Sequence, residues 1–378
     1  MSTKIYQKFR PGVLNQEQIG YLKKDVIDKL SEDDVDLSAF DLHLSRHGWE
    51  MKGSMKPSRH EDVIEIIGEH SEKQLDEGGP WKLETGKTYI FQLREYLTLP
   101  KGSEFYCQAT GKSSIGRLDV LVRLMANKCA SFDTIKNDNC YEGNLYLEVT
   151  PITFPIQIKE GEALAQLRLF RGSPEWSELK DKELPLYGSM ILKEDGQQNA
   201  ETVTDLTVNL SPDKNGILAF RTKEKKEIEE NNLFVDLTQG ENSHDPKKFW
   251  EPQTPVANGI LEIEPERFYI LRSKERFRLP PDVAVYCQAI SETLGELRIH
   301  YAGFVHPGFG LDQKKGTPII FEVRGHNVKV FLRDDETLAH IKLYRMSKPC
   351  SRKCLRTKKT VYGDQELKLS KYFKDWVK

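Results

Sequence analysis

Apolar positions recur along most of this chain with the period of β-strands. In the run 144–149 (NLYLEV), Leu145, Leu147 and Val149 fall on one face and Tyr146 and Glu148 on the other, because successive strand side chains point to opposite faces. The run 154–170 (FPIQIKEGEALAQLRLF) reads as two strands joined by a turn at Glu160 and Gly161. Later in the chain IIFEVRG, VKVFLRD and AHIKLY repeat that order. A helical period shows near the start. Ile19, Leu22, Val26, Ile27 and Leu30 share a face, and Asn15 with Gln18 gives a capping-box signal, predicting an amphipathic helix over 15–30. Polar stretches at 193–201 and 223–232 read as solvated loops. The basic, turn-bearing stretch 358–373 reads either as an ordered cap or as a mobile arm. Many short strands with regular turn signals predict a mainly β barrel or sandwich.

Laid against itself, the strand pattern repeats. At a shift of 180 residues, Glu84, Tyr89, Ile90, Glu95, Leu99 and Pro100 fall on Glu264, Tyr269, Ile270, Glu275, Leu279 and Pro280. The run YCQA from Tyr106 to Ala109 falls on the same run from Tyr286 to Ala289. At a shift of 174, Glu148 and Val149 fall on Glu322 and Val323, and 164–171 (LAQLRLFR) on 338–345 (LAHIKLYR). Two similar domains are therefore expected, 1–190 and 191–378, with the boundary between 172 and 205. Each is long enough to bury its own core. Just after YCQA the copies part: 111–118 reads GKSSIGRL and 290–297 reads ISETLGEL. Polar chemistry kept in one copy predicts a catalytic first domain and a structural second one.

The 378-residue chain has a formal net charge of −2, with 38% hydrophobic and 30% charged residues. No global positive field recruits nucleic acid or an anionic membrane, so an anionic ligand needs a local cluster. No stretch has the ~18–20 apolar residues of a membrane span, and the start (MSTKIYQKFRPGVL) lacks a signal peptide's apolar core. Six scattered cysteines fit a reducing cytoplasm. Cys350 and Cys354 are spaced CxxxC with no second Cys or His pair nearby, and read as surface thiols rather than a metal site.

GKSSIGRL sets Lys112, Ser113, Ser114 and Arg117 within six residues, while Gly111 and Gly116 let a ligand approach the backbone. Ammonium, guanidinium, hydroxyls and exposed N–H groups together suit phosphate oxygens. The spacing is neither that of a P-loop nor of a dinucleotide fingerprint. Such a stretch also fits a plain polar surface, and the difference between the copies is what singles it out. Glu148, set among apolar neighbours, is expected to be partly desolvated, with its pKa raised toward general-base range. No HxE…PCxxC zinc-deaminase pattern and no GxSxG elbow occurs. His300 and His306 flank AGF and read as turn or core histidines before a metal pair.

Taken in order, these residues resemble the dCTP deaminases of the trimeric dUTPase superfamily. That family carries an Arg-Ser-Ser-Leu-Ala/Gly-Arg-Leu segment, then an Asp, an aromatic-x-Gly, a strand ending Leu-Glu, and Gly-x-x-x-x-Gln-Leu. This chain has Lys112, Ser113, Ser114, Ile115, Gly116, Arg117 and Leu118, then Phe132 and Asp133, Tyr141 and Gly143, Leu147 and Glu148, and Gly161 with Gln166 and Leu167. Its double length resembles the two-domain bacterial members, and the likeness extends to FWEP (249–252), HYAGF with PGFG (300–310) and LKLSKYF near the end. Two departures stand out: Lys112 stands where the single-domain enzymes have Arg, and about seven extra residues (134–140) separate Asp133 from Tyr141.

The resemblance implies tandem dUTPase-like (β-clip) distorted β-barrels with a few short helices. It implies hydrolytic deamination of dCTP to dUTP and ammonia, feeding dTTP precursors, with Glu148 as general base and no zinc. Ser113 and Arg117 would position water and pyrimidine. Lys112, Ser114 and Gly116 would hold phosphates, and Asp133, Tyr146, Leu147 and Gln166 the rest of the nucleotide. Magnesium would arrive on the triphosphate. The partner would be dCTP, with no nucleic acid or membrane, in a cytoplasmic homotrimer. In the second copy, Glu322, Glu296 and His340 stand where Glu148, Arg117 and Gln166 stand in the first, so that half is expected not to turn over nucleotide. Two readings stay open beside this one: a dUTP diphosphatase or bifunctional enzyme, and a non-catalytic nucleotide-binding protein on the same fold.

Overall fold

Strand alternation produces two copies of one antiparallel sheet. The computed structural model describes residues 5–23, 25–136, 141–198, 203–255, 259–289, 297–299, 303–357 and 365–376. In the first half the strands run in the order Val120–Ala126, Tyr141–Pro151, Thr88–Leu99, Phe40–Met51, Ala163–Arg171, Phe105–Gly111 and Thr134–Lys136. In the second, Trp250–Gln253, Ala219–Thr222, Phe268–Phe277, Asp205–Asn209, Thr337–Arg345, Val283–Ala289 and Phe304–Val305 follow one another, and Thr317–Gly325 also pairs with Phe268–Phe277. Each sheet coils into a distorted barrel.

The repeat extends to single hydrogen bonds. Glu95 accepts the His43 N–H at 2.9 Å, and Glu275 accepts the Thr207 N–H at 2.8 Å. The hydroxyls of Tyr89 and Tyr269 accept the N–H groups of Glu84 and Glu264.

Some elements differ from the sequence expectation. The helix predicted over 15–30 spans only Gln16–Tyr21, with the reciprocal Asn15–Gln18 capping box in place. Ile19, Leu22, Val26, Ile27 and Leu30 are all buried. Ile27 and Asp28, however, pair with Leu97 and Tyr96 of a strand. A chain crossing a sheet here buries the same positions as an amphipathic helix would. Within the expected loop 223–232, Lys225–Glu230 is helical around the buried Ile228, with Lys-to-Glu pairs along its outer side. Of the other expected loop, 199–201 lie outside the described residues. Ile156–Ile158 and Ala163–Arg171 meet at the Gly161 turn but do not pair with each other. Ile156–Ile158 pairs with Trp81–Leu83 and, in parallel, with Val235–Asp236 of the second half.

The halves therefore interlock. Along Phe268–Phe277, Tyr269 and Leu271 stay in the second half's core, while Phe268 and Ile270 join the core of the first half. Along Thr317–Gly325, Phe321 and Val323 face the second core and Ile320 faces the first. Glu322 and Arg324 share the face of Ile320 by period two. The C-terminal segment adds Leu369, Tyr372 and Phe373 to the shared core, so the described part of the tail is an ordered cap.

In the first half the equivalent face carries Ile90, Tyr146 and Glu148, with Glu148 opposite Ile90 as Glu322 is opposite Ile270. A helix the sequence reading did not foresee, Val63–His70, covers that face, packing Val63, Ile66 and Ile67 on Ile90 and Tyr146. Among the described residues no helix is long and apolar enough to cross a membrane.

Candidate active site

A cleft of about 280 Å³ opens where the two halves meet. From the first half it takes Lys112, Ser113, Ser114, Arg117 and Gln166, and from the second Glu322, His306 and the Phe304 and Phe309 rings. Gln166 lies opposite Asp41 in register on the neighbouring strand. The Lys112 ammonium is 2.5 Å from the Asp41 carboxylate. Lys112 N–H donates to Leu164 C=O, which fixes the start of the short helix Ser113–Gly116. Ser113 is exposed to the cleft, and Ser114 is buried behind it.

Glu322 enters from the opposite wall. Its residue is 5% exposed, and its Oε2 has no hydrogen-bond partner. A Cβ on Gly116 would stand 2.2 Å from that oxygen, so the carboxylate occupies the space a side chain would need. Burial pushes the Glu322 carboxyl up to about 8, with the Arg117 charge opposing the rise and Asp119 adding to it. Arg117 donates to Gln365 Oε1 at 2.6 Å and to Lys368 C=O at 3.0 Å. Ser370 donates to Ser114 C=O at 2.6 Å. The C-terminal segment thus holds the back of the Ser113–Arg117 turn.

His306 forms another part of the wall. The Arg168 guanidinium donates to Ser38 Oγ at 3.3 Å, and the Ser38 hydroxyl lies 2.9 Å from His306 Nδ1. The Asp36 carboxylate, 3.5 Å from Nε2, favours the proton of the neutral ring there, which leaves Nδ1 to accept from the Ser38 hydroxyl. Burial lowers the His306 pKa, so the ring is neutral near pH 7. Arg168 also lies 3.9 Å over the Phe304 ring and donates to Val285 C=O, tying the second half's hairpin to a first-half strand.

The structure therefore gathers Lys112, Ser113, Ser114, Gly116, Arg117 and Gln166, and leaves four expected residues elsewhere. Glu148 lies under the first half's own covering segment, where Ser54 donates to its Oε1 at 2.8 Å. Burial raises its pKa as foreseen, yet the interdomain cleft does not reach it. Asp133 accepts the Leu124 N–H, faces Arg123 at 3.8 Å, and is pushed by burial up to about 7. Tyr146 packs under the helix Val63–His70, and Leu147 sits in the first core. The second half supplies a glutamate and the aromatic wall of the cleft. The sequence reading gave no role to the Gly- and aromatic-rich run ending PGFG, whose strand Phe304–Val305 holds the sheet position of Thr134–Lys136 in the first copy. In that turn Gly310 takes φ +66, and a Cβ there would lie 2.0 Å from Phe277 C=O. Glu296 and His300 lie outside the described residues. His340 pairs with Asp205 on the surface.

Metal ligation has one other candidate group among the described residues: Asp34, His43 and Glu95. Arg94 fills it, donating to Asp34 at 2.7 Å, to His43 Nδ1 at 2.9 Å and to Glu95 at 3.2 Å, so a guanidinium already supplies the positive charge. Cys350 is buried against Leu37 C=O and Cys354 is partly buried, which corrects the expectation of two surface thiols.

A family model for the N-terminal domain of 2'-deoxycytidine 5'-triphosphate deaminase matches residues 10–173, and one for its C-terminal domain matches 177–373. The chain is similar to the crystal structure of 2'-deoxycytidine 5'-triphosphate deaminase from Agrobacterium tumefaciens. The two are 31% identical, with a TM-score of 0.79 over 90% of this chain and 96% of that one. No curated protein matches the chain.

Proposed function

The chain belongs to the 2'-deoxycytidine 5'-triphosphate deaminase family, and we propose that it deaminates dCTP in the cleft between its halves, with Glu322 as general base. One observation carries this reading: Glu322 is a buried carboxylate with an unpartnered oxygen, set against Gly116 in the cleft that holds Ser113 and Arg117.

The net reaction consumes one water and one dCTP and yields dUTP and ammonia. Glu322 takes a proton from water as the oxygen attacks C4 of the cytosine ring, and returns protons toward N3 and the departing ammonia. A carboxyl pushed up to about 8 is largely protonated near pH 7, and the fraction that is ionised is a stronger base than a solvated carboxylate. The Ser113 hydroxyl and Arg117 guanidinium hold water and ring and stabilise charge that develops in the transition state. Phe304 and Phe309 supply apolar walls for a flat base.

Lys112 and Lys371 line the cleft as cations for phosphate oxygens, while Asp33 and Asp36 face it as hard oxygen donors. That donor set fits a hydrated magnesium arriving on the triphosphate, whose chemistry would be charge neutralisation of the phosphates. Among the described residues, His306 and Cys287 belong to no group of three or more side chains whose ligand atoms lie close enough together to hold a metal ion such as zinc. The test is ammonia release with purified protein. Glu322→Gln should bind dCTP and release ammonia at least about 1000-fold more slowly, and a zinc-selective chelator should leave the wild type active. Turnover by Glu322→Gln within tenfold of wild type overturns the assignment.

A further inference from the structure

Arg324 lies two residues beyond Glu322 on the same strand face, about 7 Å along, and reaches into the first half. Its Nη1 donates to Asp119 Oδ2 at 2.6 Å and to Thr153 Oγ1 at 2.9 Å. Thr153 in turn donates to the same Asp119 oxygen. Asp119 is fully buried. It closes the turn that begins at Ser113: its N–H donates to Gly116 C=O at 2.9 Å, and its own C=O accepts the Ile152 N–H at 2.9 Å. Its φ of +56 is a conformation that side-chain-bearing residues avoid unless their surroundings hold them there.

The ion pair thus joins the two chain segments whose separation matters most for the cleft, the Gly116–Arg117 turn and the Glu322 strand. Neither Asp119 nor Arg324 lines the cleft itself. The repeat shows that the pair serves this interface. Thr150 stands at the position of Arg324 in the first copy, and hydrogen-bonds Thr88 within its own sheet.

We infer that Asp119 and Arg324 are positioning residues for the reaction, an interdomain clamp that sets the Glu322 carboxylate against Gly116 and at working distance from Ser113 and Arg117. The inference rests on the reading of Glu322 as the base. A clamp of this kind acts on the geometry of the reacting groups, where a displacement of about 1 Å costs on the order of 100-fold in rate. It leaves the phosphate and base contacts of the cleft in place.

The experiment compares Arg324→Met, Arg324→Lys, Asp119→Asn and the double variant Asp119→Asn/Arg324→Met with wild type and Glu322→Gln, by steady-state ammonia release and thermal unfolding. The double variant leaves no unpaired buried charge and so keeps the fold where a single variant loses it. Expected is a kcat lowered about 10- to 100-fold in Arg324→Met and in the double variant. KM should stay within about threefold, and Arg324→Lys should recover much of kcat through a single ammonium donor. A folded double variant with wild-type kcat, alongside an inactive Glu322→Gln, overturns the clamp and leaves the base assignment standing. An active Glu322→Gln overturns both. A loss carried by KM alone shows a binding defect and also overturns the clamp.

Discussion

Gly116 and Glu322 share one space: a Cβ on the glycine would stand 2.2 Å from the glutamate Oε2 and 3.0 Å from its Oε1. The two residues come from different copies of the repeat, so the contact crosses the interdomain seam. Gly116→Ala should push the carboxylate away from Arg117 while leaving both barrels intact. The expected result is a kcat reduced on the order of 100-fold or more, with a thermal midpoint lowered by only a few degrees. Normal turnover in Gly116→Ala would mean that the carboxylate has room to give, and that its position is not set by this contact.

That contact also explains what the sequence revealed and what it did not. The strands were legible because one face of each is buried, so Leu145, Leu147 and Val149 announce their register by alternation. The Asn15–Gln18 cap was legible because it is made within four residues. Lys112, Ser113 and Arg117 could be picked out because one copy keeps them and the other does not. The choice between the two glutamates could not be made the same way. Glu148 and Glu322 occupy equivalent places in equivalent strands, and alternation gives them the same neighbours. The difference lies in what covers each face. The helix Val63–His70 covers one and the other half of the chain covers the second, and a contact between distant segments leaves no periodic trace.

Stability should report on Glu322 as clearly as rate does. Its carboxyl is raised from 4.5 to about 8 in the folded chain. Between those values the native state holds more protons than the unfolded one, so the stability due to the neutral carboxyl is fully present below about 4.5 and is lost as pH rises through 8. Glu322→Gln carries no such dependence. The variant should therefore be more stable than wild type near pH 8, by about 2–4 kcal/mol given about 1.4 kcal/mol per pKa unit, with the difference shrinking toward pH 5. Urea unfolding of both proteins at pH 5, 6.5 and 8 measures it. A difference that does not change with pH would show that Glu322 is not held neutral by its burial.

Gln365 should matter through Arg117. It accepts from the guanidinium at 2.6 Å and anchors itself by donating to Pro318 C=O at 3.0 Å. Removing the whole tail would strip Leu369, Tyr372 and Phe373 from the shared core, so a point change is the cleaner probe. Gln365→Ala should lower kcat/KM about 10- to 100-fold, the value of a hydrogen bond to a charged group, with a modest loss of thermal stability. Steady-state kinetics beside a melting curve separates the two effects. A melting midpoint that collapses while the residual rate per folded molecule stays normal would assign Gln365 to folding alone.

Glu148 supplies the opposing case. Like Glu322 it is buried, has a raised pKa, and keeps one oxygen without a hydrogen-bond partner. What it lacks is company. Ser54 donates to it from the segment just before the helix Val63–His70, and its strand neighbours are Arg123 and Ile90 rather than the Ser113–Arg117 turn. Glu148→Gln should therefore keep kcat and KM for dCTP within about twofold of wild type, since Gln fills the same volume and still accepts from Ser54. Titration with a non-hydrolysable dCTP analogue should find one nucleotide bound per chain in both proteins. A second equivalent that disappears in Glu148→Gln would mean that the covering helix opens, and that both copies of the fold bind substrate.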